Sequence, residues 1–398
     1  MDTEEFKING FMGAAVESGL KKHGGLDLAL IYTEKECTAA GVFTANTVKA
    51  APVLISMDRI SSSGKAMAIL ANAGNANACN GEYGVHDALH TAELIASALE
   101  ISSDKILLAS TGVIGARLDV NCIEKAIPDL VKRLSPDGLT DVSKAIMTTD
   151  SFYKTGIRKF EIGNKICTIC GMAKGAGMIM PNMATMLCFI LTDLDIEQTT
   201  LNNILKVSVD RTFNRVSVDG DTSTNDTVFI LANGAAENPK NLSDYEVEKF
   251  KAALISLLEE LSRMIVKDGE GATKLVKIEV NGARTSEDAE KAARTIANSS
   301  LVKTALFGCD PNWGRIIAAV GRSGIIMDES RIKISIGGVE IVSGGIAVSG
   351  DAEASAAAIM KTDEYDLTVE LGMGAASDFI FTCDLTHKYI SINADYRS

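Results

Sequence analysis

Lys174-Gly-Ala-Gly-Met-Ile-Met-Pro-Asn-Met-Ala-Thr-Met-Leu187 is the stretch from which the rest of the chain is best read. A lysine sits against two glycines, Gly175 and Gly177, and eleven residues later Thr185 opens an apolar segment, Met186–Leu194. Glycines allow tight turns and an apolar run suits a buried strand, so the stretch predicts a loop that dives into a core strand. It is not a phosphate-binding loop, in which the lysine follows the last glycine and precedes Ser or Thr; here the lysine comes first. By residue type alone, a β-branched threonine at a strand opening is a structural residue.

Upstream, Ile157–Gly171 alternates like paired strands. Lys105–Ser110 is a short apolar strand that runs into Thr111-Gly-Val-Ile-Gly115. Helices are expected over Asp87–Leu99 and over Cys122–Leu134, where Pro128 marks a kink. Downstream, a helix is expected from Glu197 to Phe213 and a strand at Thr227–Ala232. A long helix should start at the capping box Ser243-x-x-Glu246, with Val247, Phe250, Leu254, Leu257, Leu261 and Ile265 as its buried stripe. It should end at Asp268-Gly-Glu-Gly271. A strand at Lys274–Asn281 and a helix capped by Thr285-x-x-Asp288 follow, and Asp378–Asn393 alternates as two further strands. Helices and strands mix without a regular βαβ period or a dinucleotide fingerprint. The class is therefore α+β and layered, not a doubly wound sheet. The best domain break falls near Gly269–Thr273.

The chain has 398 residues, enough for two or three domains, and its 46% hydrophobic and 23% charged content is ordinary for a globular protein. A net charge of −13 without a basic stripe argues against a nucleic-acid partner. The acidic start, Met1–Lys7, lacks the apolar core of a secretory signal, and Met178–Leu191 is too short to span a bilayer, so a cytoplasmic protein with no membrane partner is expected. Eight scattered cysteines then read as reduced thiols. Cys167-x-x-Cys170 lies in an alternating segment where residues three apart face opposite ways, which disfavours a zinc or redox pair.

Four further motifs remain to be read. His86 and His90 share a helix face at zincin spacing, but the acid is Asp87 and no suitable third ligand follows, so no metal is expected. Asn72-Ala-Gly-Asn-Ala-Asn-Ala-Cys-Asn80 is either a loop of Asx turns or a pocket wall. Val218–Asp226 superficially resembles a calcium loop but lacks the central glycine and the final glutamate. A hydrogen-bonded turn beside the active site is expected instead. Asp310-Pro-Asn-Trp-Gly-Arg315, with the single tryptophan, reads as a structural turn into a helix.

The chain resembles the ornithine acetyltransferase (bifunctional glutamate N-acetyltransferase) family along nearly its whole length. The resemblance rests on Ala71–Gly81, Ser110–Gly115, Met147-Thr-Thr-Asp150, Gly171–Leu187, Ser217–Thr227, Asp268–Gly271, Asp310–Ile316 and Ile392–Ser398. One departure is Ser398, where many relatives end in Thr. The resemblance implies a layered α-β-β-α catalytic domain at 1–270, like that of D-aminopeptidases, and a smaller α/β domain at 271–398 whose last residues return to the active site. It also implies self-cleavage between Ala184 and Thr185, giving chains 1–184 and 185–398 assembled as two of each.

Thr185 is then the nucleophile. Thr111 and Gly112 form the oxyanion hole, and Thr148, Lys174, Thr185, Glu270, Asn393 and Ser398 bind substrate, with Thr149 an alternative to Thr148. The implied reaction, in the cyclic route of arginine biosynthesis, moves acetyl from N-acetylornithine to glutamate through an acetyl-threonine. It uses no cofactor. Acetyl-CoA as a second donor and feedback inhibition are left open. Rival expectations are a hydrolase of the aminopeptidase superfamily and a non-enzymatic small-molecule binder.

Overall fold

The computed structural model describes residues 6–180 and 186–395. Its contacts gather into two units. One runs through Asn214 and takes in Asp221–Ile265; the other comprises Arg215–Gly220 and the chain from Val266 on. Sequence patterning gives no sign that a six-residue segment leaves the first unit to join the second.

The first unit holds a sheet of eight strands: β1 (Met12–Val16), β2 (Leu28–Phe43), β3 (Lys65–Asn75), β4 (Ile106–Val113), β5 (Lys154–Ile162), β6 (Lys165–Lys174), β7 (Leu187–Thr192) and, after the two-residue β8 (Val216–Ser217) of the second unit, β9 (Thr227–Ala232). The order is β4-β3-β2-β9-β7-β6-β5, with β1 also beside β2. Its helices are α1 (Ala51–Ser63), α2 (Gly81–Leu99), α3 (Val120–Lys132), α4 (Leu139–Ala145), α5 (Gln198–Arg211) and most of α6 (Asp244–Lys267).

The long strand β2 serves both halves of the sheet. Leu28–Tyr32 pairs with β1 and β3, the register then shifts, and Thr38–Phe43 pairs with β9. Such an irregularity bends a strand. Alternate residues of β3 and β4 (Ile69, Ala71, Leu107, Ala109) pack in one core with alternate residues of β6, β7 and β9 (Met172, Leu187, Phe189, Phe229). The opposite faces take helices. Ala68, Leu70, Ile106 and Leu108 meet Ala92 and Ile95 of α2 and Ile123 and Ile127 of α3. At Gly171 of β6 an added Cβ would come 3.0 Å from Leu261 of α6. The layering is thus helix, half-sheet, half-sheet, helix, as the resemblance implied. The edge of β4 is covered by α1, whose Ser56 hydroxyl accepts from Leu108 N–H (2.8 Å) and donates to Leu108 O (2.9 Å).

The second unit has a sheet in the order β13-β12-β11-β14-β10-β15-β8, formed with β10 (Leu275–Ala283), β11 (Lys333–Ile336), β12 (Val339–Ser343), β13 (Ile346–Ala347), β14 (Glu364–Glu370) and β15 (Ala376–Cys383). Its helices are α7 (Ser286–Ala297), α8 (Ser300–Phe307), α9 (Trp313–Gly321), α10 (Ala352–Met360) and α11 (His387–Asp395). Trp313 opens α9 and packs against the core that Val276, Ile278 and Val280 share with Ala289, Ala293 and Ile296 of α7.

One expected element is corrected. Asp378–Asn393 is a strand followed by the helix α11, not two strands. Among the described residues no helix is long and apolar enough to cross a membrane.

Candidate active site

Strands β3 and β4 run parallel and end together, with Ala73 opposite Thr111 and Gly74 opposite Gly112. The backbones approach so closely there that only glycine fits. Gly112 has φ +129, and an added Cβ would stand 2.4 Å from the Gly74 carbonyl carbon. Thr111, one residue earlier, is buried.

The amide-rich stretch at the end of β3 proves to be a set of internal fasteners. Asn72 accepts from the Ser110 hydroxyl (2.6 Å) and donates to Asn75 O (2.9 Å). Asn75 accepts from Asn77 N–H at 2.7 Å, an Asx turn, and donates to Ala116 O and Arg117 O. From the expected turn before β9, Asn225 donates to Ala76 O (2.6 Å) and Ser110 O (2.9 Å), which locks that turn onto the end of β4.

The ends of β6, β7 and β9 are level: Lys174 pairs with Leu187, and Leu187 with Thr227. Lys174 is buried. Its Nζ donates to Thr148 Oγ1 at 2.8 Å and to Thr111 Oγ1 at 3.4 Å, and stands 3.9 Å from Asp150 Oδ2. An ammonium only donates, so both threonine hydroxyls act as acceptors toward it and their own protons point elsewhere. Of the adjacent pair Thr148 and Thr149, it is therefore Thr148 whose hydroxyl joins Lys174.

Asp150 organises this cluster. Its Oδ1 accepts from Lys154 Nζ and from Gly175 N–H, both at 2.7 Å, and its Oδ2 accepts from Thr148 N–H at 3.0 Å. Burial by itself would raise the carboxyl, but Lys174, Lys154 and these hydrogen bonds outweigh it and hold Asp150 down to about 2. Lys154 is fully buried against it. Nearby Lys21 donates to Leu26 O and Ala145 O, and burial lowers its ammonium against the pull of Asp27 and Asp150. Two buried lysines on one carboxylate, beside two hydroxyls, suit a carboxylate ligand or a developing oxyanion. Sequence reasoning missed Asp150 and Lys154; the Met147–Asp150 match was the available signal.

Asp226 closes the other side of β7. It is fully buried, and its Oδ1 accepts from Met186 N–H at 2.9 Å. In the second unit, Glu270 lies in the turn after α6 and its Oε2 accepts from Asn393 Nδ2 of α11 at 2.7 Å, so these two expected substrate residues meet. Ala184, Thr185 and Ser398 lie outside the described residues.

The histidine pair and the Cys-x-x-Cys stretch stand on separate elements, α2 and β6. His86 and His90 are solvent-facing on α2, and Asp87 is engaged by Arg117. Cys170 faces the core between the half-sheets, and burial pushes the Cys167 thiol up to about 12. Among the described residues no three potential ligands gather for a metal.

The ArgJ family model matches residues 12–398. The arginine biosynthesis bifunctional protein ArgJ of Desulfotalea psychrophila is 50% identical over 98% of this chain and 100% of its own. The glutamate N-acetyltransferase of Methanocaldococcus jannaschii is 46% identical over 99% of this chain and 97% of its own. A crystal structure of the arginine biosynthesis bifunctional protein ArgJ of Bacillus halodurans is 40% identical with a TM-score of 0.50; it covers 52% of this chain and 98% of the crystallised one. The chain belongs to the ArgJ family.

Proposed function

We propose that the protein is a glutamate N-acetyltransferase of arginine biosynthesis that takes its acetyl group from N2-acetylornithine. Family membership supports the activity, and the M. jannaschii relative bears that name. The observation that carries the site is the contact of Lys174 with both Thr111 and Thr148, level with the start of β7. Thr185 stands two residues before that strand.

In this reading the chain first cuts itself between Ala184 and Thr185, which frees the Thr185 amine. The amine, with a pKa of about 7.7–8.0 in an unperturbed setting, takes the proton of its own hydroxyl. The hydroxyl attacks the acetyl carbonyl of N-acetylornithine. The Thr111 hydroxyl and the Gly112 N–H stabilise the oxyanion, ornithine departs with the proton, and glutamate then removes the acetyl group. Lys174 and Thr148 suit the substrate carboxylate. Glu270 with Asn393, and Ser398, are the remaining substrate residues of the proposal. The scheme asks for no metal, nucleotide or organic cofactor, since threonine supplies both nucleophile and base.

The B. halodurans crystal chain aligns over nearly all of itself yet spans only 52% of this one, which supports a mature form of two chains. Assembly as two of each chain, a cytoplasmic location and use of acetyl-CoA as a second donor complete the proposal. The word bifunctional in the relatives' names supports the last of these.

Initial rates with N-acetylornithine and glutamate both varied should give parallel double-reciprocal lines. Intersecting lines with no trapped acetyl-enzyme would sink the covalent route. Acetate release that ignores glutamate would mean a hydrolase.

A further inference from the structure

Asp226 is a buried acid with one structural task and two oxygens. Its Oδ1 accepts from the Met186 N–H. Its Oδ2 is equally buried and has no hydrogen-bond partner among the described residues. The Thr44 hydroxyl, from the segment after β2, lies beside the carboxyl but donates to Ser223 O at 2.7 Å. Pinning one N–H needs only an amide or hydroxyl oxygen. A carboxyl kept out of water with a bare second oxygen costs stability that such a role does not require. Its position is also specific. The Met186 nitrogen is the amide nitrogen joined to the Thr185 carbonyl carbon, so the acid sits one residue from the junction at which the proposed cleavage occurs.

That cleavage needs a proton moved. The Thr185 hydroxyl must lose one as its oxygen bonds to the Ala184 carbonyl carbon. The Thr185 nitrogen must gain one as the carbon–nitrogen bond breaks. Before cleavage the nitrogen is an amide and cannot serve as the base, so the device available to the mature enzyme is missing at this step.

We propose that Asp226 carries this proton: as a neutral acid it protonates the departing Thr185 nitrogen and is reprotonated by the hydroxyl. The ester so formed between Ala184 and Thr185 is opened by water, which returns the Thr185 hydroxyl and leaves a carboxylate on Ala184. Asp226 is unchanged at the end. The groups that act on the carboxyl are consistent with the neutral form. Burial raises it well above the usual range, against the opposing Met186 N–H from β7, Thr44 and the Lys174 ammonium from the end of β6. The inference rests on Thr185 as the cutting residue.

The test uses the full chain, translated without cells so that the uncut form can be followed, with cleavage read by intact mass. D226N keeps the oxygen that accepts from Met186 and removes the transferable proton. It should fold, as judged by a thermal midpoint no lower than that of wild type, and cut about a hundredfold or more slowly, the usual scale of acid–base assistance. The wild-type cutting rate should fall as pH rises through the pKa of the acid, and that fall should vanish in D226N. Cutting of D226N at the wild-type rate would overturn the proposal. If D226N does not fold, the wild-type profile decides alone, and a rate that does not fall toward high pH would overturn it. T185A separates the two readings. Efficient cutting in T185A, or a wild-type chain that stays whole, would overturn the cutting role of Thr185 and this inference with it. A T185A chain that stays whole, together with fast cutting in D226N, would overturn only the role of Asp226.

Discussion

Asp150 and Asp226 are two acids buried in the same unit, on opposite sides of β7, and they are treated in opposite ways. Asp150 meets two lysines and two backbone N–H groups, and is held down to about 2. Asp226 meets one N–H, and burial raises it well above the usual range. The first is a permanent anion that clamps Thr148, Gly175 and Lys174 in place. The second favours its neutral form and is suited to giving up a proton. Burial acts on both in the same direction, and the neighbouring cations decide the outcome.

The largest expected effect is on the clamp. D150N removes the anion and leaves Lys154 and Lys174 buried without it. Breaking a buried pair from one side costs about 3–5 kcal/mol, so denaturant unfolding should show a loss of that order. An unchanged midpoint would show that the cluster does not depend on the charge of Asp150.

Next comes the hydroxyl that Lys174 contacts. T111A should fold and lose about 2.7–4 kcal/mol of transition-state stabilisation, a fall of ~100–1,000-fold in turnover. Near wild-type turnover would remove Thr111 from the oxyanion role.

The third test is titration. The folded pKa of Asp150 lies below its unfolded value, so its contribution is fully present above the unfolded pKa. It is lost as pH falls from about 4 toward about 2, and amounts to about 2 kcal/mol. For Asp226 the sign reverses. Its folded pKa is raised, so its contribution is present below the unfolded pKa and fades as pH rises toward the folded one. Unfolding curves from pH 2 to 8 for wild type, D150N and D226N would separate the two. A wild-type acid limb that persists undiminished in D150N would contradict the assignment to Asp150.

The smallest loss expected is that of D226N at pH 7, no more than about 1 kcal/mol below wild type, because the hydrogen bond to Met186 is kept and the ionisation penalty of a buried acid is gone. A loss as large as that of D150N would mean that the two acids do the same structural work.

Much of the frame was legible in the sequence because local chemistry marks it. The Ser243 and Glu246 box forms, with both Ser243 N–H and hydroxyl donating to Glu246, and Thr285 caps α7 through Asp288 N–H. Thr227–Ala232 is the strand expected. The error at the C-terminal end has a physical cause. Ile390–Asn393 alternates over only four residues, too few to separate a strand from a helix, and α11 has no buried residue to reveal its period. It is held instead by contacts distant in sequence, Asn393 to Glu270 and Tyr389 to Asp219.

At the site, motif likeness singled out Thr111, Thr148 and Lys174, and the structure joins them. It gave no role to Asp150, Lys154 or Asp226. A lysine or aspartate is ordinarily a surface residue, and only the fold shows these three to be enclosed.

The central claim is that Thr185 both cuts the chain and carries the acetyl group, and intact-mass measurement of the purified protein tests it most directly. Two species matching residues 1–184 and 185–398 are expected. After rapid quench with N-acetylornithine, the second should be heavier by one acetyl group, on the peptide that begins at Thr185. T185A should give one whole chain with no adduct. A wild-type protein found as a single whole chain that still transfers acetyl would contradict the account.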